Sequence, residues 1–344
     1  MKKNNNNNNK KSAINLEKII GNTTTNNSSI SCNPITSELA YPAGCMVVIY
    51  DPSTNKQTFL SSKRQQTINS LCFSPDGKYL AVGEKGKDAK IVIWDVSSKT
   101  VAIELSNAHK HGIATLSFSK SNGNRYLLSC GLQHDGITSI WDWKNNRLIS
   151  QFKVFKNKNE NEKEVKEEET PRMWCVDWME SSDENFVICG KNFVSYYSIK
   201  DSNLERSSCN LGQFKDDTFI EISYGKDITH AVTSQGKICT ISHSKRTIEK
   251  WVDFKVKIGA FAIGENYVAI GGEDGWIRLF EPATLKYLST FPRPHSLGFE
   301  NEPPTITSNV KLSYPCVTCC KFNSDKSKAF AFYSDKSFYV WDIL

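Results

Sequence analysis

Apolar residues in this chain cluster in short runs rich in Val, Ile, Phe and Tyr, separated by Gly, Pro, Asn, Asp and Ser. No stretch longer than about ten residues keeps the i, i+3, i+4, i+7 spacing of an amphipathic helix, so the pattern predicts an almost entirely β chain. One run recurs in recognisable form, a β-branched or aromatic strand ending in an aromatic and then an acidic or small polar residue. It stands at Val47 to Asp51, Ile91 to Asp95, Thr138 to Asp142, Val194 to Ser198, Lys237 to Ser242, Trp276 to Glu281 and Ser337 to Asp342. Successive ends lie 39 to 61 residues apart. Four of the six intervals fall near the ~40–45 residues of a WD-type propeller blade.

The two long intervals have visible causes. Residues 156–169 are a charge run with Val165 as its one apolar residue, and about 292–313 carries Pro292, Pro294, Pro303 and Pro304. Both are expected to be loops, the first because nothing in it can be buried, the second because proline cannot donate to a strand ladder.

Within a repeat the order is regular. Ile68 to Phe73 reads as a first strand, Ser74-Pro75-Asp76-Gly77 as a type I turn, Tyr79 to Val82 as a second strand, Ile91 to Asp95 as a third and Val101 to Leu105 as a fourth. A four-stranded meander cannot bury both its faces alone, so the copies must pack radially. The predicted fold is all-β, a seven-bladed WD40 β-propeller over residues 12–344. Radial packing also explains how 344 residues can form one domain beyond the usual size of a single core. The seventh repeat offers Cys316 to Phe322, Lys328 to Phe332 and Ser337 to Asp342 but no fourth strand. The segment Ala13 to Ile20 is therefore expected to pair with Ser337 to Asp342 and close the ring, covering an edge that would otherwise invite aggregation. The alternative is that Ile343 marks a truncation of a longer parent.

Composition narrows the setting. Residues 1–11 are an Asn and Lys tract, expected to be a disordered tail. Apolar residues make up 39% of the chain and 19 glycines add to them, which excludes general disorder. No run approaches the ~18–20 apolar residues of a membrane span, and asparagines stand where a secretory apolar region would be. Net charge is +6, but 43 basic and 37 acidic residues are mixed along the chain, so nucleic acid is not the expected partner. Eleven cysteines, mostly inside apolar runs, suit a reducing cytoplasm or nucleus.

Several constellations invite a chemical reading. His109, Ser129, Asp135 and Trp141 have triad-like residue types, but in a WD repeat such groups form a buried chain from imidazole to carboxylate and hydroxyl, and from hydroxyl to indole, and no catalytic motif accompanies them. Cys316 and Cys319 form a C-x-x-C, yet strand alternation sends them to opposite faces and no second ligand pair follows. Gly271-Gly272-Glu273-Asp274-Gly275 lies between two strands with no helix after it, so it reads as a hairpin turn and not as a phosphate cradle. No catalytic, cofactor-binding or metal-binding set is expected. For partner contact, the candidates are Arg293 and His295 in the proline-bearing insert, His134 on the exposed ring face, and Trp143, which together with Trp276 reads as exposed. The six histidines are scattered, against an enzyme. A ubiquitin-ligase substrate receptor is a further alternative, which basic residues around the channel rim would favour.

Leu16-Glu17-Lys18, Leu39 to Cys45, Phe73 to Tyr79, Gln133-His134-Asp135, Trp141 to Lys144, Asp274-Gly275 and Leu288 to His295 occur in one order along the chain. In these stretches the chain resembles the family of mitogen-activated protein kinase-binding protein and WD repeat-containing protein sixty-two, with Tyr41 to Cys45 and Pro292 to His295 the most specific segments. The resemblance implies a non-enzymatic scaffold that binds proteins in stress-activated MAP kinase signalling, at spindle poles or centrosomes, or both, in the cytoplasm. The chain departs from the family by stopping after seven repeats, so the second repeat set and the kinase-docking tail are expected to be absent.

Overall fold

A computed structural model of the chain describes residues 16–121, 123–132, 135–154, 173–200, 203–294 and 314–343. The expected tail at 1–11, the insert at 156–169 and residues 295–313 of the second insert lie outside them. Seven antiparallel sheets follow one another along the chain. Blade two runs Thr67–Phe73, Tyr79–Lys85, Ile91–Asp95 and Thr100–Leu105, and blade three Ile113–Phe118, Tyr126–Gly131, Ile137–Asp142 and Arg147–Lys153. The first strand of each blade lines the centre of the ring and the fourth its rim. Each of the seven recurring runs falls on the third strand of its blade.

The core is divided among the junctions between blades. In blade two, Leu80, Val82, Val92 and Trp94 point toward blade one, while Ala81, Ile91 and Ile93 point toward blade three. Alternation with period two therefore fills two junctions from one strand, and this is why inner strands read as continuous apolar runs. Seven such clusters occur, one at every junction, including that between blades seven and one.

The ring is closed by the N-terminal segment, but not by the strand pairing expected from sequence. Among the described residues blade seven has three strands, Val317–Phe322, Lys328–Tyr333 and Phe338–Asp342, and the last pairs only with the second. Residues 13–15 lie outside the described residues, and 16–20 form no strand. The side-chain amide of Gln57, on the outer strand of blade one, occupies the backbone of Ile19: its Oε1 accepts from the Ile19 N–H at 2.8 Å and its Nε2 donates to the Ile19 carbonyl at 3.2 Å. Held there, the segment crosses to blade seven, where Asn22 Nδ2 donates to the Lys336 carbonyl at 2.7 Å and Lys336 Nζ to the Thr24 carbonyl at 2.8 Å.

It then enters the ring. Asn27–Ser29 form a 3₁₀ turn capped by the Asn26 side chain, with Asn27 and Ser29 buried. Asn27 Nδ2 donates to the Phe261 carbonyl of blade six at 2.7 Å, and its Oδ1 accepts from the Cys320 N–H of blade seven at 2.9 Å. The seam itself is aromatic: Tyr41 of blade one lies 5.6 Å from Phe332 and 5.9 Å from Phe338 of blade seven, and Tyr50 lies 5.5 Å from Phe338.

Candidate functional site

The triad-like set of blade three is an internal tie. His109 Nε2 is 2.8 Å from Ser129 Oγ, which also accepts from the Trp141 indole N–H at 3.0 Å. Asp135 accepts from the backbone N–H groups of Lys110 and His111 at 3.1 and 3.2 Å. His109 Nδ1 is buried without a hydrogen bond, so Asp135 acts on the ring through its charge alone. Gly131 makes room for the arrangement: a Cβ there would lie 2.7 Å from His109 Nδ1 and 2.8 Å from Asp135 Cβ. Burial pushes the His109 imidazole down to about 4, against the upward pull of Asp135. A ring held neutral and enclosed ties strands together and does not meet a substrate.

The centre of the ring holds a cavity of about 320 Å³. Lys120 reaches Asp177 at 2.6 Å, and Asp177 also accepts from the Tyr224 N–H at 2.9 Å. Glu221 is buried beside Cys175, whose thiol lies 3.5 Å from its Oε2; burial raises the carboxyl above its ordinary range and the charge of Lys321 pulls it back. Burial also raises the Cys175 and Cys189 thiols, which keeps them protonated and poor nucleophiles. Cys319 packs in the seam with its thiol 3.0 Å from the Asn26 carbonyl, while Cys316 stands just before the strand. Among the described residues no three His, Cys, Asp or Glu side chains converge as a metal would require, and no helix is long and apolar enough to cross a membrane.

The partner-contact candidates fare differently from one another. His134 and His295 lie outside the described residues. Trp143 is not on the surface: it is 1% exposed, its indole N–H donates to the Asn124 carbonyl at 2.7 Å, and its ring meets Tyr79 of blade two and Phe118 of blade three edge-on at 5.0 and 5.4 Å. A 3₁₀ turn, Trp143–Asn145, folds it back into the junction. Trp276 is half-buried, and Trp251 is 46% exposed on the outer strand of blade five.

Arg293 is the candidate with a defined setting. Its guanidinium stacks over the Trp276 ring at 4.4 Å and the Tyr314 ring at 4.0 Å. Trp276 is fixed by the turn before it, where Asp274 Oδ1 accepts from the Trp276 N–H at 3.2 Å and the carboxylate pairs with Arg278 at 2.5 Å. Tyr314 is seated by Gly275: a Cβ at that position, whose φ is +77°, would lie 3.0 Å from the Pro315 carbonyl and 3.5 Å from Tyr314 Cβ. The glycine-rich hairpin thus builds one end of an aromatic clamp. Arg293 and Trp276 follow a fourth and a second strand respectively, so the clamp lies on the ring face opposite the turns that join first to second strands. Tyr314 was not singled out from sequence; its nearest signal is its place just after the proline-bearing insert.

A cleft of about 750 Å³ between blades three and four, lined by Arg125, Lys144 and Asp183 among others, also had no sequence signal, because turns from two blades form it.

Comparison with known proteins places the fold and its relatives. The WD domain, G-beta repeat family matches residues 54–95. The chain is 31% identical over 96% of its length to mitogen-activated protein kinase-binding protein 1 of Mus musculus and 30% identical over 96% to WD repeat-containing protein 62 of Sus scrofa. It spans about a fifth of each, 22% and 21%. The structure of U3-55K superposes with a TM-score of 0.65 at 16% identity, covering 90% of this chain and 89% of that one. At that identity the likeness concerns the fold.

Proposed function

The chain is a seven-bladed WD40 propeller similar along 96% of its length to mitogen-activated protein kinase-binding protein 1 and WD repeat-containing protein 62, and from that premise we propose that it is a non-catalytic scaffold. Its work is to gather partner proteins for stress-activated MAP kinase signalling, for spindle-pole and centrosome organisation, or for both, in the cytoplasm. The observation that carries this reading is the Arg293 clamp, a charged group held in a fixed orientation on the loop face of a stiff ring. Binding costs fall when a recognition group is already ordered, and many loops on one frame give a broad preorganised surface. The same reading makes Arg293, its insert neighbour His295 and His134 partner contacts.

Proximity labelling in cells tests this, comparing the wild-type chain with an Arg293→Ala, His295→Ala double variant. Kinase-cascade or spindle-pole proteins labelled by the first and lost with the second are the expected result. Identical labelling by both chains would remove the assigned face. A labelled set dominated by ubiquitin-ligase subunits would replace the scaffold reading with that of a substrate receptor.

A further inference from the structure

Resting on the scaffold reading, we infer that the Arg293 clamp is an oxyanion receptor, taking a phosphate or carboxylate group presented by a partner peptide. The argument begins with what the guanidinium lacks. Two aromatic rings lie against it, Trp276 and Tyr314, and its Nε is buried with no hydrogen-bond partner. No carboxylate among the described residues pairs with it. The nearby acids are engaged elsewhere, Asp274 with Arg278 at 2.5 Å and Glu273 with Lys257 at 3.7 Å. Stacking on aromatic faces is favourable for a guanidinium, but it leaves the in-plane Nε–H unanswered, and a desolvated donor without an acceptor is costly.

The geometry states which ligand removes that cost. A guanidinium held against aromatic rings is left its planar edge for a ligand, and two parallel N–H groups at that edge match the spacing of two oxygens on a carboxylate or phosphate. A neutral amide or hydroxyl could answer one donor but not the charge. A second cation is excluded by repulsion. Because the walls are built by Asp274, Arg278 and Gly275, the guanidinium is oriented before any ligand arrives, so little side-chain entropy remains to be lost on binding. Trp276 and Tyr314 are positioning residues here, and Arg293 is the contact.

The test uses the full chain labelled with ¹⁵N-arginine, the Arg293 Nε–Hε signal being assigned by its loss in Arg293→Lys. Phenyl phosphate and glutarate are titrated in separate arms, with phenol as the uncharged control. The expected result is saturable movement of that signal by at least one of the two anions and none by phenol, weakened about tenfold or more in Trp276→Ala and in Tyr314→Ala, as loss of a charge-assisted fork would produce. Lys245→Gln, on the far side of blade five, keeps the wild-type response. A stronger phosphate arm assigns a phosphorylated peptide and a stronger glutarate arm an acidic one.

A peptide array carrying phosphotyrosine, phosphoserine, glutamate or glutamine at the central position extends the test. Preference for an anionic form over glutamine by about tenfold, abolished in Arg293→Gln, supports the inference. A signal that neither anion moves overturns it, as does an anion preference that survives Arg293→Gln. Peptide or partner binding that ignores both Arg293 and peptide charge overturns the inference while leaving the scaffold reading in place. Failure to capture any partner counts against the scaffold reading itself.

Discussion

His109 is the side chain through which acid reaches this fold. The imidazole is enclosed, and burial holds it down to about 4 from an ordinary 6.5 while Asp135 pulls the other way. Between those values the unfolded chain binds a proton that the folded ring refuses, so its stabilising contribution is full above pH 6.5 and is lost as pH falls toward 4. The whole shift is worth roughly 3 kcal/mol at ~1.4 kcal/mol per pH unit. His230 and His243 are lowered too, chiefly by burial, and add to the same trend. Glu221 opposes it, since its burial favours the protonated folded form and its contribution is lost as pH rises. Urea melts at pH 7.5, 6 and 5 should therefore show the wild type losing about 2 kcal/mol by pH 5. His109→Gln starts less stable and loses markedly less over the same range. Parallel slopes in the two proteins would contradict the assignment.

At the scale of elements, the 3₁₀ turn at Asn27–Ser29 does for the ring what a shared strand was expected to do. Asn27 spans a blade-six carbonyl and a blade-seven N–H. Replacing it with alanine leaves two buried groups unmet, at ~1–3 kcal/mol each, so Asn27→Ala should cost roughly 2–6 kcal/mol in chemical denaturation. A loss below about 0.5 kcal/mol, the size of an ordinary surface substitution, would mean that the turn is incidental.

This division between strand and turn also marks what could be read from the sequence. Strand positions were legible because a blade strand buried on both faces must be apolar throughout, and the aromatic-acidic ending of Ile91–Asp95 or Phe338–Asp342 recurs at Tyr50-Asp51, Trp141-Asp142 and Phe280-Glu281, with serine in place of the acid at Ser198 and Ser242. The closure was not legible, because Thr23 to Ser29 is a polar stretch whose bonds are made by side-chain amides and hydroxyls, and these leave no hydrophobic period. Trp143, expected to be exposed, lies buried for a related reason. A local run does not say whether a turn folds an indole into the next junction or whether an outer strand faces water. Arg293 was legible as a loop residue beside prolines, whereas its aromatic walls, Trp276 and Tyr314, come together only through the ring.

The whole molecule is a circle of seven junction cores with one chemically distinct seam. Six junctions join blades that follow each other in the chain. The seventh joins Tyr41 and Tyr50 to Phe332 and Phe338, and is bridged by the strap from Ile19 to Asn27. The rim beyond carries exposed apolar side chains on outer strands, Val101, Leu148, Trp251, Tyr287 and Leu288, while the loop face carries the Arg293 clamp. A recognition group can stay preorganised on such a frame only while the seam stays shut, and local opening is expected first where closure depends on the fewest buried groups. Hydrogen–deuterium exchange on the wild type and on Asn27→Ala measures this most directly. The account predicts that in the wild type the Cys320 amide and the inner strands of blades six and seven are as protected as those of blades two to four, and that the substitution releases protection at blades six, seven and one alone. Uniform loss around the ring, or unchanged protection at the seam, would contradict closure by the N-terminal strap.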